Sequence, residues 1–153
     1  MSFQVARNPR GVQVPYAELT QSATSINNTT FTIPNLTSTT YDNGAATTGT
    51  ALADLVNDRI ILRRAGMWLV SCFGSWVANA TGSRLTEVKL DGGVAATSAT
   101  GSGFGGTYPT NQTAATVVYV SGTTSYVDGN VWQASGAGLN CTVTLKAVWL
   151  GPY

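Results

Sequence analysis

Histidine is missing altogether from this 153-residue sequence. Its absence removes the Ser-His-Asp and Cys-His nucleophile pairs, His-ligated zinc and the commonest general base together. Charge is scarce as well. Only 10% of the residues are Asp, Glu, Lys or Arg, far below the usual quarter. Eight basic and seven acidic side chains leave a net charge of +1, so the sequence carries no electrostatic footprint for nucleic acid or an anionic membrane. Cysteine is limited to Cys72 and Cys141, too few for a disulfide scaffold. Each sits in an apolar, strand-like run, which favours buried free thiols over the alternative of one bridge. No run of about 18 apolar residues occurs, so nothing predicts a membrane span. The opening Met-Ser-Phe-Gln-Val-Ala-Arg has no apolar stretch behind its basic residue and does not read as a signal peptide.

What replaces the charge is Thr, Ser, Asn and Gly, around a normal hydrophobic fraction of 43%. Helical surfaces are built from Glu, Lys, Gln and Arg, so this exchange argues for strands and turns. The length fits one domain, able to bury about two-thirds of its unfolded surface without metal or disulfide. Six Asn-x-Ser/Thr sequons, at Asn27, Asn28, Asn35, Asn79, Asn111 and Asn140, are read as a by-product of abundant Thr and Asn rather than as glycan sites.

Residues 1–25 read as an extended arm. Pro9 and Pro15 fix the backbone, Val12, Val14 and Tyr16 offer a short edge strand, and Arg7 and Arg10 supply a quarter of the basic residues. Residues 26–153 read as one sandwich domain. Ile26 to Tyr41 predicts two short strands broken at Pro34, residues 42–50 a loop, and Ala51 to Val56 a single helical turn. Met67 to Val77 is the most informative segment. One alternating set holds Trp68, Val70, Cys72 and Trp76; the other holds Met67, Leu69 and Phe73. Large apolar residues on both faces predict a strand buried on both sides. Arg84 to Leu90 predicts a half-exposed strand ending in an Asp91-Gly92-Gly93 hairpin turn. Residues 92–114 read as a Gly/Thr/Ser-rich loop holding Phe104 and Tyr108. Short strands follow over Ala115 to Val120, Ser125 to Val127 and Val131 to Ala134, and a long one over Leu139 to Leu150. Strand length and turn spacing describe an all-β antiparallel sandwich or jelly roll.

Little chemistry is hidden in this pattern. Three of the seven carboxylates stand in Asp42-Asn43-Gly44, Asp91-Gly92-Gly93 and Asp128-Gly129-Asn130. Calcium is one reading; turn formation is the favoured one, and no segment matches an EF-hand. Gly101 to Gly106 lacks the Gly-Lys-Ser/Thr ending and the following helix of a phosphate loop. Phe104, Tyr108 and Tyr119 have no Lys or Arg beside them to support base stacking. No catalytic, cofactor or metal residues are assigned, and no enzyme is expected.

The order Ile61-Leu62-Arg63-Arg64-Ala65-Gly66-Met67-Trp68-Leu69-Val70 resembles the C1q/TNF-type jelly roll, where a short strand meets a Gly-aromatic pair and then a long buried strand. Arg84 to Gly93, Thr116 to Gly122, Val131 to Gly136 and Leu145 to Gly151 are similar to its later strands, and the resemblance covers residues 26–151. One departure stands out: the family's usual Gly-Asp is Gly122-Thr123 here. Asn8-Pro9-Arg10-Gly11-Val12 and Ala17-Glu18-Leu19-Thr20 are similar to the opening segment of β-rich virion proteins of actinobacterial phages.

The resemblance implies a non-enzymatic bacteriophage virion protein, made in the host cytoplasm and carried on the particle. A trimeric capsid decoration protein is the first expectation, and a tail-associated protein binding a host receptor or glycan is the alternative. Its partners would be two further copies of itself and a major capsid or other virion protein. In the C1q/TNF-type fold one sheet's outer face packs around a threefold axis. That role falls to either Leu69 and Phe73 or Trp68 and Val70, joined by Tyr119, Val148 and Leu150. Arg7 and Arg10 would attach the arm to the particle, and Phe104 and Tyr108 mark a surface binding loop.

Overall fold

The computed structural model describes residues 13–100 and 108–153. The strands are β1 (Tyr16–Ile26), β2 (Ser38–Asp42), β3 (Ala53–Asp54), β4 (Arg59–Ile61), β5 (Gly66–Trp76), β6 (Arg84–Leu90), β7 (Gly93–Thr100), β8 (Thr110–Val120), β9 (Tyr126–Gln133) and β10 (Leu139–Gly151). One short helix, α1 (Gly44–Thr48), lies between β2 and β3. The strands form two five-stranded sheets, the first ordered β2-β1-β10-β5-β8 and the second β3-β4-β9-β6-β7. Every neighbouring pair is antiparallel. The expected all-β sandwich is the observed architecture.

The core lies between the sheets and follows the period of two. Trp68, Val70, Cys72 and Trp76 of β5 point inward with Cys141, Val143, Leu145 and Ala147 of β10, and all are fully buried. Across from them lie Val88 of β6, Val127 and Val131 of β9 and Ile60 of β4. The sheets approach closely at two glycines. A Cβ on Gly129 would stand 2.8 Å from the Cys72 sulfur, and one on Gly74 would stand 2.7 Å from Thr86 Oγ1. Both cysteines are free and buried. Burial pushes each thiol up from its ordinary 9.0 to about 12, with the neighbouring Cys141 adding to the effect at Cys72.

Two buried glutamines tie the sheets together. Gln112 on β8 accepts from Trp76 Nε1 (3.1 Å) and Thr86 Oγ1 (3.2 Å) and donates to the Arg84 carbonyl (2.9 Å) and Thr100 Oγ1 (3.2 Å). Gln133 on β9 donates to the carbonyls of Ile26 (2.9 Å) and Ala137 (2.7 Å) and accepts from Ser135 N (2.6 Å). Their amides are buried and satisfied, the condition under which polar groups are tolerated in a core.

Several sequence expectations are corrected. The sequence predicts an arm through residue 25, yet Tyr16 onward is β1, an interior strand between β2 and β10. Ala17, Leu19, Gln21 and Ile26 turn inward and are buried, but small and polar residues mask the alternation in the sequence. Residues 1–12 lie outside the described residues. The helical turn falls at Gly44–Thr48 rather than at 51–56. Asp42 causes the shift: it accepts from Gly44 N (2.6 Å), Leu52 N (2.9 Å) and Ala53 N (2.8 Å), and so fastens both ends of the segment. Gly49, at φ +82°, ends the helix in the left-handed conformation. The 92–114 loop is interrupted by β7 and the start of β8. β6 is more buried than expected, with Arg84, Thr86, Glu87 and Val88 all covered.

Two outcomes follow. Gln112→Leu keeps the volume but strands the Trp76 and Thr86 donors, and should cost about 2–4 kcal/mol, read as a lower urea midpoint at unchanged slope. The thiols have the second consequence. Their folded pKa lies above the unfolded one, so their contribution is complete below pH 9 and is lost as pH rises toward 12. The urea midpoint should fall across that window, and the Cys72→Ala/Cys141→Ala variant should lose part of the fall.

Candidate functional site

A set of exposed apolar side chains grows out of the first sheet's pairing register. β5 puts Trp68 and its partners into the core, so Met67, Leu69, Ser71, Phe73 and Ser75 must face outward. Register then lines up Tyr16, Val148, Leu69 and Val117 in one row across four strands. A second row, toward the β10 terminus, brings Met67 beside Tyr119, whose ring meets Tyr153 edge-on at 5.5 Å. Leu69 is 42% exposed, Val117 46%, and Tyr119 and Leu150 53% each. Monomers seldom leave so many large apolar groups together in water.

A polar cluster interrupts this face. Lys146 Nζ stands 3.2 Å from Glu18 Oε2, and the Tyr16 hydroxyl donates to the same carboxylate oxygen. Tyr16 stacks at a tilt on Tyr41, 5.2 Å between ring centres. Burial raises the Tyr16 phenol well above the ordinary tyrosine value, and the Glu18 hydrogen bond and charge raise it further. Small residues, Ser71 and Ala115, continue the Glu18–Lys146 row to the β8 edge. Beyond that row Phe73 lies between Thr144 and Thr113.

The structure therefore brings Leu69, Phe73, Tyr119, Val148 and Leu150 to one face. It places the alternative pair, Trp68 and Val70, in the core at 0% exposure. Val117, Tyr16 and Tyr41 join the face although no expectation named them for it. Val117 was readable from the alternation with Tyr119; Tyr16 was hidden by its assignment to the arm. Arg7, Arg10 and Phe104 lie outside the described residues. Tyr108 is 78% exposed and precedes β8 at the opposite end of the sandwich from Tyr119.

The acids are taken up by the fold. Asp42 holds three backbone amides, Asp58 accepts from Leu36 N (2.7 Å) and Asp91 accepts from Tyr126 N (2.9 Å). Asp54 pairs with Arg59 at 2.9 Å, and Glu87 accepts from Asn130 Nδ2 at 3.2 Å. At Asp91 (φ +49°) and Gly92 (φ +81°) the chain makes the tight β6–β7 turn. Asp128 is raised by burial, partly offset by the charges of Lys89 and Arg59, and its Oδ1 is buried without a partner. Among the described residues no three His, Cys, Asp or Glu side chains gather as a metal-ligand set. No helix among them is long and apolar enough to cross a membrane.

No protein-family model matches the chain, and no curated protein matches it in sequence. Solved structures do match in fold. The globular domain of zebrafish complement 1qA protein superposes with a TM-score of 0.65 at 6% identity, covering 91% of this chain and 99% of that one. Eiger TNF from S. frugiperda gives 0.62 at 9% identity, covering 92% and 94%. The PRD1 vertex protein P5 gives 0.57 at 15% identity, covering 90% and 97%. The chain thus has the C1q/TNF-type jelly-roll fold. Identities this low establish the fold and nothing more.

The polar cluster yields a measurable quantity. The Glu18–Lys146 pair is only half-buried, so water screens it, and a Glu18→Gln/Lys146→Met double-mutant cycle should give a coupling of about 0.5–1 kcal/mol. Added salt should shrink that coupling.

Proposed function

We propose that this chain is a non-enzymatic structural protein of a bacteriophage virion that assembles as a homotrimer and decorates the capsid. The observation that carries the reading is the outer face of the first sheet. Its row of Tyr16, Val148, Leu69 and Val117, with Tyr119 and Leu150 beside it, is core-like chemistry left in solvent. Obligate interfaces have this character, and the natural cover is two further copies of the chain. The fold likeness to the PRD1 vertex protein P5 supports a place on the particle. Attachment falls to residues 1–12, with Arg7 and Arg10 pairing with carboxylates on the shell or on another virion protein.

A second reading, a tail-associated protein that binds a host receptor or glycan, is favoured by one observation. Tyr108 stands out at the end of the sandwich away from the start of β1, and in sequence it follows the segment that holds Phe104. Imaging the labelled protein on intact particles separates head from tail.

Light scattering of the purified chain should give about three times 15.9 kDa. Phe73→Asp and Val148→Asp should each convert that species to monomer or aggregate. A stable, soluble wild-type monomer at micromolar concentration overturns the trimer. Deleting residues 1–12 should leave a folded protein that no longer joins the particle, read as occupancy by gel densitometry.

A further inference from the structure

The sandwich has one charged end and one neutral end, and the asymmetry assigns a direction to the molecule. At the end where β1 begins and β10 finishes, the β4–β5 connection carries Arg63 and Arg64 side by side. The Arg63 Nε donates to the Ala51 carbonyl at 2.8 Å. The Arg64 guanidinium carbon stands over the Trp149 ring, 3.8 Å from its centre, and Trp149 is itself held by a 3.1 Å hydrogen bond from Nε1 to the Ala65 carbonyl. Both guanidinium groups are thus held in position by neutral partners. Neither is among the ion pairs of the described residues, and the remaining segments, 1–12 and 101–107, contain no acid. Two acids lie at this end and keep their charge, Asp42 bonded to three backbone amides and Asp91 to Tyr126 N, but neither forms an ion pair with Arg63 or Arg64.

The far end differs. Its connections, residues 27–37, 77–83 and 134–138, contain no charged side chain at all. Arg84 and Asp58 next to them face inward, to the carbonyls of Asn79 and Gly82 and to Leu36 N. What the far end shows to solvent is Phe31, Ile33, Val77 and Tyr108 among Thr and Asn.

We infer that the Arg63–Arg64 corner is a docking surface for an acidic protein surface, and that the neutral end points away from that partner. The inference rests on the virion reading and adds a second contact on the folded domain, separate from Arg7 and Arg10. Four features argue for it. The chain enters β1 at the same end, where Pro15 accepts from Trp149 N at 2.9 Å. The two arginines are fixed in place, so little side-chain freedom is lost on binding. Planar guanidinium groups suit bidentate carboxylates. Two charges on a chain of net +1 are too few to neutralise a run of phosphates, which favours a protein partner over duplex DNA.

The test uses the full-length protein and particles that lack it, with occupancy measured across a salt series. Wild type should load, and its loading should weaken as salt rises. Arg63→Glu/Arg64→Glu should weaken loading about tenfold or more, and Arg63→Gln/Arg64→Gln should fall between. Thr30→Glu, at the neutral end, should load as wild type does. Circular dichroism and light scattering of each variant establish that it is folded and associated as wild type is. Glutamine variants that load like wild type, or a salt-independent loading, overturn the docking surface while leaving the virion reading intact. A wild-type protein that leaves every particle bare overturns both. Tighter binding to a short duplex DNA or to phosphatidylglycerol vesicles than to the particle overturns the choice of partner.

Discussion

The register between β5 and β10 is the constraint on which the rest of the molecule depends. These are the long central strands of the first sheet, paired from Cys141 with Trp76 to Gly151 with Met67. In a period of two, a one-residue slip would exchange the inner and outer sets wholesale. With β5 slipped, Trp68, Cys72 and Trp76 would face water, and Leu69 and Phe73 would enter the core. Gly74 and Gly129 discourage that exchange. Each sits where the opposing sheet leaves no space for a side chain, so the sheets close only when these glycines face inward. The exposed apolar face is therefore a by-product of core packing, and the same alternation that builds the core builds the candidate interface.

That coupling explains what could be read from the sequence. β5 and β10 were legible because large residues occupy both alternating sets, and β8 because Val118 and Val120 alternate with Val117 and Tyr119. The sequence pattern did not decide which β5 set faces inward. That choice depends on Gly74 and Cys72 meeting Thr86 and Gly129 across the core, and long-range contacts of that kind leave no local mark. β1 is masked in the sequence for a different reason. Its inward residues are Ala17, Leu19 and Gln21, a weak hydrophobic signal, and their burial comes from lying between β2 and β10. α1 and β7 were hidden in Thr/Ala/Gly-rich text whose propensities favour neither loop nor strand, and side-chain contacts from Asp42 and pairing with β6 decided them.

Scarce charge has a structural counterpart in the polar core. With few acids to pair, the protein stabilises buried polarity with neutral amides and backbone carbonyls. Gln112 serves β5, β6 and β7 at once, and Gln133 reaches β1 from the other sheet. Arg84 shows the limit of the approach. It is 1% exposed and has no carboxylate partner; its Nη2 donates to the Asn79 carbonyl at 2.7 Å, while its Nε has none. An uncompensated guanidinium is expensive to bury, so its place must be held by the 79–82 carbonyls. The loop and the arginine define each other.

The remaining charges then sort by position. Asp54, Arg59, Asp128 and Lys89 fall in one row across β3, β4, β9 and β6 on the outside of the second sheet. Signs alternate along that row, so it generates little net field. Glu18 and Lys146 cancel on the outside of the first sheet. Arg63 and Arg64, side by side at one end, enter neither of the ion pairs found among the described residues. A protein with so few charges projects a field only where neighbours fail to neutralise it. The apolar face and the basic corner thus demand different partners. The face needs area and shape, which a second copy of the same chain supplies, and the corner needs opposite charge, which this chain has already committed to its own backbone.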